Sequence, residues 1–264
     1  VFPGTPDRTG SESAKNSPNA DTAPESAGGR VLAAVCTLNE IANLPELVAR
    51  IFQALPTADL LVVDDDSPDQ TGQWAQTYAA TDPRLRVLIR KDERGLGSAI
   101  RKALEYAVEQ DYEYVLNLDA DLSHAPEALP ELLKVATSAQ RPDVVVGSRY
   151  CRGGEVHGWS LRRKLMSRMV NRFAVSVLRL PVSDCSGSLR CYRVATLRKI
   201  DPASLQSNGY AILEEILLKL MATGAKMAEV PIVFTDRQRG ESKLTWNEAT
   251  AAAKQLIRMA RQRN

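Results

Sequence analysis

Five short runs of Val, Leu and Ile alternate with amphipathic segments from Arg30 onward, and this alternation limits the fold more than any other feature. The runs 31–36, 60–63, 85–89, 114–118 and 144–147 are bounded by polar or glycine residues and read as buried strands. Helical patterns fill 43–55, 70–80, 97–110 and 126–139. The last opens on Pro126, whose missing N–H is unpaired in a first turn anyway. Such alternation predicts an α/β fold with a mostly parallel, Rossmann-like sheet and helices on both faces. Ligands of these sheets bind beyond the carboxyl ends of the strands, so the residues that follow each strand carry the functional information.

Those residues are acidic or polar. Thr37-Leu38-Asn39-Glu40 follows the first strand, Asp64-Asp65-Asp66-Ser67-Pro68-Asp69 the second, Asp119-Ala120-Asp121 the fourth and Gly147-Ser148-Arg149-Tyr150 the fifth. Carboxylates gathered on one edge repel one another unless a cation or a donor-rich ligand lies among them. In extended backbone Asp119 and Asp121 project to one side, roughly 7 Å of chain apart. Both can face one hard cation, Mg²⁺ or Mn²⁺, of the kind shared with substrate phosphates. The plain alternative is a solvated turn. Gly95-Leu96-Gly97 opens a helix, but Ile100 stands where a dinucleotide fingerprint needs its third glycine, and no P-loop pattern occurs. Both absences count against hydride transfer on this fold and against P-loop chemistry.

The second half is more basic. Between Gly147 and Lys199 twelve Lys or Arg (149, 152, 162, 163, 164, 168, 172, 179, 190, 193, 198, 199) face only Glu155 and Asp184, a local excess of +10 in a chain of net charge +2. A phosphate-rich substrate or an anionic lipid surface suits that patch. Nucleic acid does not, since acidic strand ends repel its backbone and aromatics are only 5% of the chain. Leu161, Leu165, Met169 and Phe173 form one helical stripe over 160–179, with Arg162, Arg163, Arg168 and Arg172 mostly elsewhere. A strand over 188–192, a helix over 211–222, a strand over 227–234 and a basic helix over 246–263 complete the reading. Of the two histidines, His124 adjoins the aspartate motif and reads equally well as a helix-start residue, while His157 reads as a loop residue.

Apolar residues at 44% and charged residues at 25% suit a chain with a buried core, here one domain over 30–264. Residues 1–29 include fifteen Pro, Gly, Ser or Thr and read as a disordered tail. No uncharged apolar run approaches the roughly 18 residues of a membrane span, and no secretory leader is apparent. Four cysteines without zinc spacing fit a reducing, cytoplasmic setting. The chain opens on Val, which fits a start upstream.

Taken together and in order, these motifs resemble family 2 glycosyltransferases, and among them the dolichol- and polyprenol-phosphate mannose synthases. The likeness runs from about Val31 to about Arg258 and includes 159–171, Asp184-Cys185-Ser186-Gly187-Ser188-Leu189-Arg190, Asp236-Arg237 and Gly240-Glu241-Ser242-Lys243. It implies a GT-A fold and transfer of mannose, with inversion, from GDP-mannose to a dolichyl or polyprenyl monophosphate in the membrane. It places Cys36, Leu38, Glu40, Val63 and Asp65 around the nucleoside, although the family often has Pro and Tyr at the first two positions. Asp119, Asp121 and Ser123 would hold Mg²⁺ or Mn²⁺ on the diphosphate, with the Ala120 backbone alongside. Arg149 and Arg163 would grip the acceptor phosphate, and Arg237 and Lys243 would close on the donor diphosphate. Glu215 matches a further acidic position. The expected protein is peripheral on the cytosolic membrane face, and some short relatives rely on a small membrane subunit. The rival readings are a UDP-sugar glucosyltransferase using the same lipid and an inactive scaffold of the same fold.

Overall fold

The computed structural model describes residues 29–237; residues 1–28 of the expected tail, the helix over 246–263 and Lys243 lie outside the described residues. The main sheet comprises β1 (Val31–Thr37), β2 (Asp59–Asp64), β3 (Leu85–Ile89), β4 (Tyr114–Asp119), β5 (Val144–Ser148), β7 (Arg190–Arg193) and β8 (Met227–Pro231). Its order is β3-β2-β1-β4-β7-β5-β8, with β7 antiparallel to both neighbours and every other pair parallel. A second sheet pairs β6 (Glu155–His157) with β9 (Val233–Thr235). Successive side chains of a strand face opposite layers, and β1 divides its residues accordingly. Leu32 and Ala34 pack towards α3 (Leu96–Glu109), α6 (Val194–Ile200) and α7 (Ile212–Ala222). Ala33 and Val35 pack towards α1 (Leu44–Ala54), α2 (Thr71–Ala79) and α4 (Leu129–Ala136). In register, Cys36 lies opposite both Val63 and Asp119. That register brings the ends of β1, β2 and β4 side by side.

The fold departs from the sequence reading in several places. The helix expected from Pro126 begins as a single 3₁₀ turn, and α4 follows from Leu129. Pro130 has no N–H to give the Pro126 carbonyl, so the Leu129 N–H takes it instead. The strand expected over 227–234 breaks into β8 and β9 in different sheets. Pro231 ends β8, since it has no N–H with which to continue a ladder, and the chain turns to cover β6. The helix expected over 160–179 is α5 (Leu161–Leu178). Ser160 caps it by accepting from the Arg163 N–H at 3.3 Å, but only Asn171, Ala174 and Leu178 are buried. The apolar stripe expected there faces outward: Leu161 is 84% exposed, Leu165 61%, Met169 62% and Phe173 61%.

Candidate active site

The loops that leave β1, β2 and β4 each contain a non-glycine residue in the left-handed region: Asn39 (φ 57°), Asp66 (φ 54°) and Leu122 (φ 60°). Such backbone persists where surrounding contacts enforce it, often at functional sites. Buried carboxylates supply those contacts. Asp64 accepts from Thr37 Oγ1 at 2.7 Å, Ser67 Oγ at 2.6 Å and the Ser67 N–H at 2.9 Å, tying the first two loops together. Asp65 accepts from Arg90 Nε at 2.8 Å and from the Gly95 N–H at 2.7 Å. Its neighbour Arg90 also reaches Ser98 at 2.9 Å. Asp65 therefore anchors the loop that opens α3. Glu40 accepts from Asn43 Nδ2 at 2.8 Å beside the same edge. Cys36 and Leu38 are half-buried at the end of β1, whereas Val63 is wholly enclosed in the core. Any contact of Val63 with a nucleoside would therefore be through its backbone.

Beyond β4, Asp121 is buried and Asp119 is half-buried. Asp121 Oδ1 accepts from the Ser123 N–H at 3.0 Å and from the Ser123 hydroxyl, so Ser123 orients the carboxylate. Asp121 Oδ2 faces Arg237 Nη2 at 3.2 Å. Among the described residues no group of three or more His, Cys, Asp or Glu could by itself enclose a metal ion. Two hard oxygen donors without a closed cage fit a Mg²⁺ or Mn²⁺ ion that takes its remaining ligands from a diphosphate and water. The Arg237 guanidinium against Asp121 shows that this carboxylate already attracts positive charge. His124 is buried, with Nδ1 3.5 Å from Asp119 Oδ2. Burial holds its imidazole below the usual histidine pKa, so it is neutral near pH 7. Among the described residues neither ring nitrogen has a hydrogen-bond partner.

A second group of residues lies beside the first. Arg149 is buried and grips Asp184 through Nε at 2.7 Å and Nη2 at 2.8 Å. Nη2 also reaches Ser186 at 2.8 Å. Burial alone would raise the Asp184 carboxyl, but its hydrogen bonds with Arg149 hold it below the usual carboxylate range. Arg149 lines a cavity of about 450 Å³ together with Tyr150, Leu161, Lys164, Leu165 and Arg168. Lys164 and Arg168, four apart on α5, share one helical face. That spacing was readable in advance, although nothing in it named a cavity. Gly154 also lines the cavity, and a Cβ there would come within 2.5 Å of the Ser148 carbonyl oxygen. Arg163 is separate from the cavity; it stacks on Trp159 at 4.2 Å and pairs with Asp236 at 2.9 Å.

Phe234 lies between the two groups. Its ring meets His124 edge-on at 5.2 Å and Trp159 at 5.3 Å, with the Arg149 guanidinium 5.5 Å above it. No sequence pattern singled out Phe234, Arg90 or the Arg149–Asp184 pairing, which depend on segments far apart in the chain. Glu215, Arg190 and His157 also have protein partners. Glu215 accepts from the Gln206 and Ser207 N–H groups at 3.0 and 2.7 Å, anchoring a loop. Arg190, counted in the basic patch, is fully buried on the carbonyls of Gly187, Leu213 and Cys185. His157 is exposed and pairs with Glu155 at 2.7 Å.

A doubly wound sheet with paired aspartates at its carboxyl edge is the layout of the GT-A glycosyltransferases. Solved structures agree: a mannosyltransferase from Pyrobaculum calidifontis, in complex with GDP-Man and Mn²⁺, superposes with a TM-score of 0.56 at 19% identity. The match covers 91% of this chain and 65% of that one and is a likeness of fold. Residues 33–201 match the family model described as Glycosyl transferase family 2, and the chain belongs to that family. It is 40% identical over 216 residues to the undecaprenyl-phosphate mannosyltransferase of Micrococcus luteus, covering 82% of this chain and 88% of that one. It is 37% identical over 217 residues to the polyprenol monophosphomannose synthase of Mycolicibacterium smegmatis, covering 82% of this chain and 81% of that one.

Proposed function

We propose that the protein transfers mannose from GDP-mannose to a polyprenyl or dolichyl monophosphate, with inversion, giving a β-mannosyl phosphate lipid. One observation carries the reading. A carboxylate edge suited to a cation-bound diphosphate adjoins a cation-lined cavity that borders an exposed apolar helix face. The names of the relatives from Micrococcus luteus and Mycolicibacterium smegmatis, and the GDP-Man and Mn²⁺ bound by the Pyrobaculum protein, support the sugar, the lipid phosphate and the metal.

Asp119 and Asp121 would hold the ion, with Ser123 fixing Asp121. Bound there, Mg²⁺ or Mn²⁺ would stabilise the negative charge that develops on the leaving diphosphate. Arg237 supplies a further positive charge on the same side. The acceptor is an anion near neutral pH and needs no general base. Its phosphate oxygen attacks the anomeric carbon as the bond from that carbon to the diphosphate breaks. The chain's remaining task is to hold the two in line. Lys164, Arg168 and the Nη1 arm of Arg149, the one not committed to Asp184 or Ser186, would receive the acceptor phosphate. Arg163 joins them once its pair with Asp236 opens. Leu161 and Leu165 extend the cavity wall towards the outward stripe of α5, a route by which a lipid tail stays in a membrane interface while its phosphate enters.

Incubation with radiolabelled GDP-mannose, Mn²⁺ or Mg²⁺ and polyprenyl phosphate gives labelled lipid. Asp121→Ala lowers its rate by roughly 10²- to 10³-fold, as loss of a group stabilising developing charge does. Equal incorporation by the variant and the parent would overturn the reading.

A further inference from the structure

Asp236 and Arg237 are adjacent in the strap that follows β9, yet their charges serve different partners. The Asp236 carboxylate accepts from Arg163 Nη1 at 2.9 Å, whereas Arg237 Nη2 lies 3.2 Å from Asp121 Oδ2. Neighbouring residues of an extended chain project to opposite sides, so two successive side chains can reach two separate places. Backbone bonds hold the strap as far as the Asp236 N–H, ahead of the peptide unit that Asp236 shares with Arg237. The Thr235 N–H donates to the Ser123 carbonyl at 3.1 Å, and the Asp236 N–H donates to the His157 carbonyl at 3.1 Å. Gly158 leaves the room required, since a Cβ there would come within 2.9 Å of the Asp236 Cβ.

We infer that Asp236 is a positioning residue that couples the two substrate sites, an inference that rests on the function proposed above. A phosphate that takes the Nη1 group of Arg163 displaces Asp236, because both anions then compete for the same N–H donors. The backbone rotation that turns the Asp236 carboxylate away also draws Arg237 from Asp121, since the two residues share a peptide unit. Arg237 then turns from Asp121 towards the diphosphate, and Asp121 takes the cation. Displacement in the other direction runs through the same peptide unit. Each ligand thus removes part of the cost of binding the other, and the effect is equal in both directions by linkage.

Isothermal titration with GDP and Mn²⁺, in the presence and absence of geranyl phosphate as a soluble acceptor probe, tests this directly. In the parent protein each ligand tightens the other by about threefold, the scale of one partly exposed ion pair. Asp236→Asn removes the competing anion, so geranyl phosphate alone binds about threefold tighter and the coupling falls towards one. Asp236→Glu, which keeps the carboxylate, restores coupling, a result that a merely structural role would not produce. Unchanged coupling in Asp236→Asn, or weaker geranyl phosphate binding, would overturn the inference while the proposed function stood. A parent protein that bound neither ligand would overturn both.

Discussion

At the scale of single residues, the site depends on buried charges that are matched and one that is not. Arg149 and Asp184 are both almost out of water and satisfy each other with two parallel hydrogen bonds, the geometry that makes a buried pair tolerable. Glu214 lacks such a match. It is buried in α7, and among the described residues its Oε2 has no hydrogen-bond partner. Burial pushes its carboxyl up to about 7 against the opposing pull of Arg190. A folded pKa above the unfolded one gives stability that is complete at acid pH, declines above the ordinary carboxylate pKa and is lost as pH rises through about 7. Glu214→Gln abolishes that dependence. In chemical denaturation the variant gains on the parent by about 3 kcal/mol at pH 8 and by little at pH 4.5. Parallel pH–stability curves for the two proteins would refute this account.

At the scale of elements, α5 is the unusual one. It is held by its C-terminal half through Ala174, Leu178 and Asn171, and Asn171 Nδ2 donates to the Ser183 carbonyl at 2.6 Å. The outward face carries Leu165, Met166, Met169, Val170 and Phe173, all exposed. Arg162, Arg163, Lys164, Arg168 and Arg172 lie on the same helix, which has no acidic residue. A helix with this composition is suited to a membrane interface, where its apolar face would enter among acyl chains and its cations would meet anionic headgroups. No helix among the described residues is long and apolar enough to cross a membrane. Phe173→Glu and Leu165→Glu each lower flotation with anionic liposomes several-fold while leaving GDP binding intact. Equal flotation of parent and variants would show that another surface docks the protein.

At the scale of the whole molecule, the proposed donor would be selected at the shared edge of β1, β2 and β4. With Mn²⁺ present, GDP raises the melting temperature more than UDP, and chelation by EDTA removes most of the difference. A larger shift with UDP would favour the glucosyl reading. Local sequence determined much of this protein. Runs of Val, Leu and Ile become strands because their side chains must leave water, and Asp119 and Asp121 stand at a strand end because the apolar run stops there. These are short-range properties, as are the turn and cap residues between them. Tertiary structure alone decided which charges meet. Pairings such as Arg149 with Asp184, Asp65 with Arg90 and Arg163 with Asp236 join segments 35, 25 and 73 residues apart. It also decided that the stripe of α5 faces outward. A helical period records that a helix has an apolar face, and only the packed chain shows whether protein covers it.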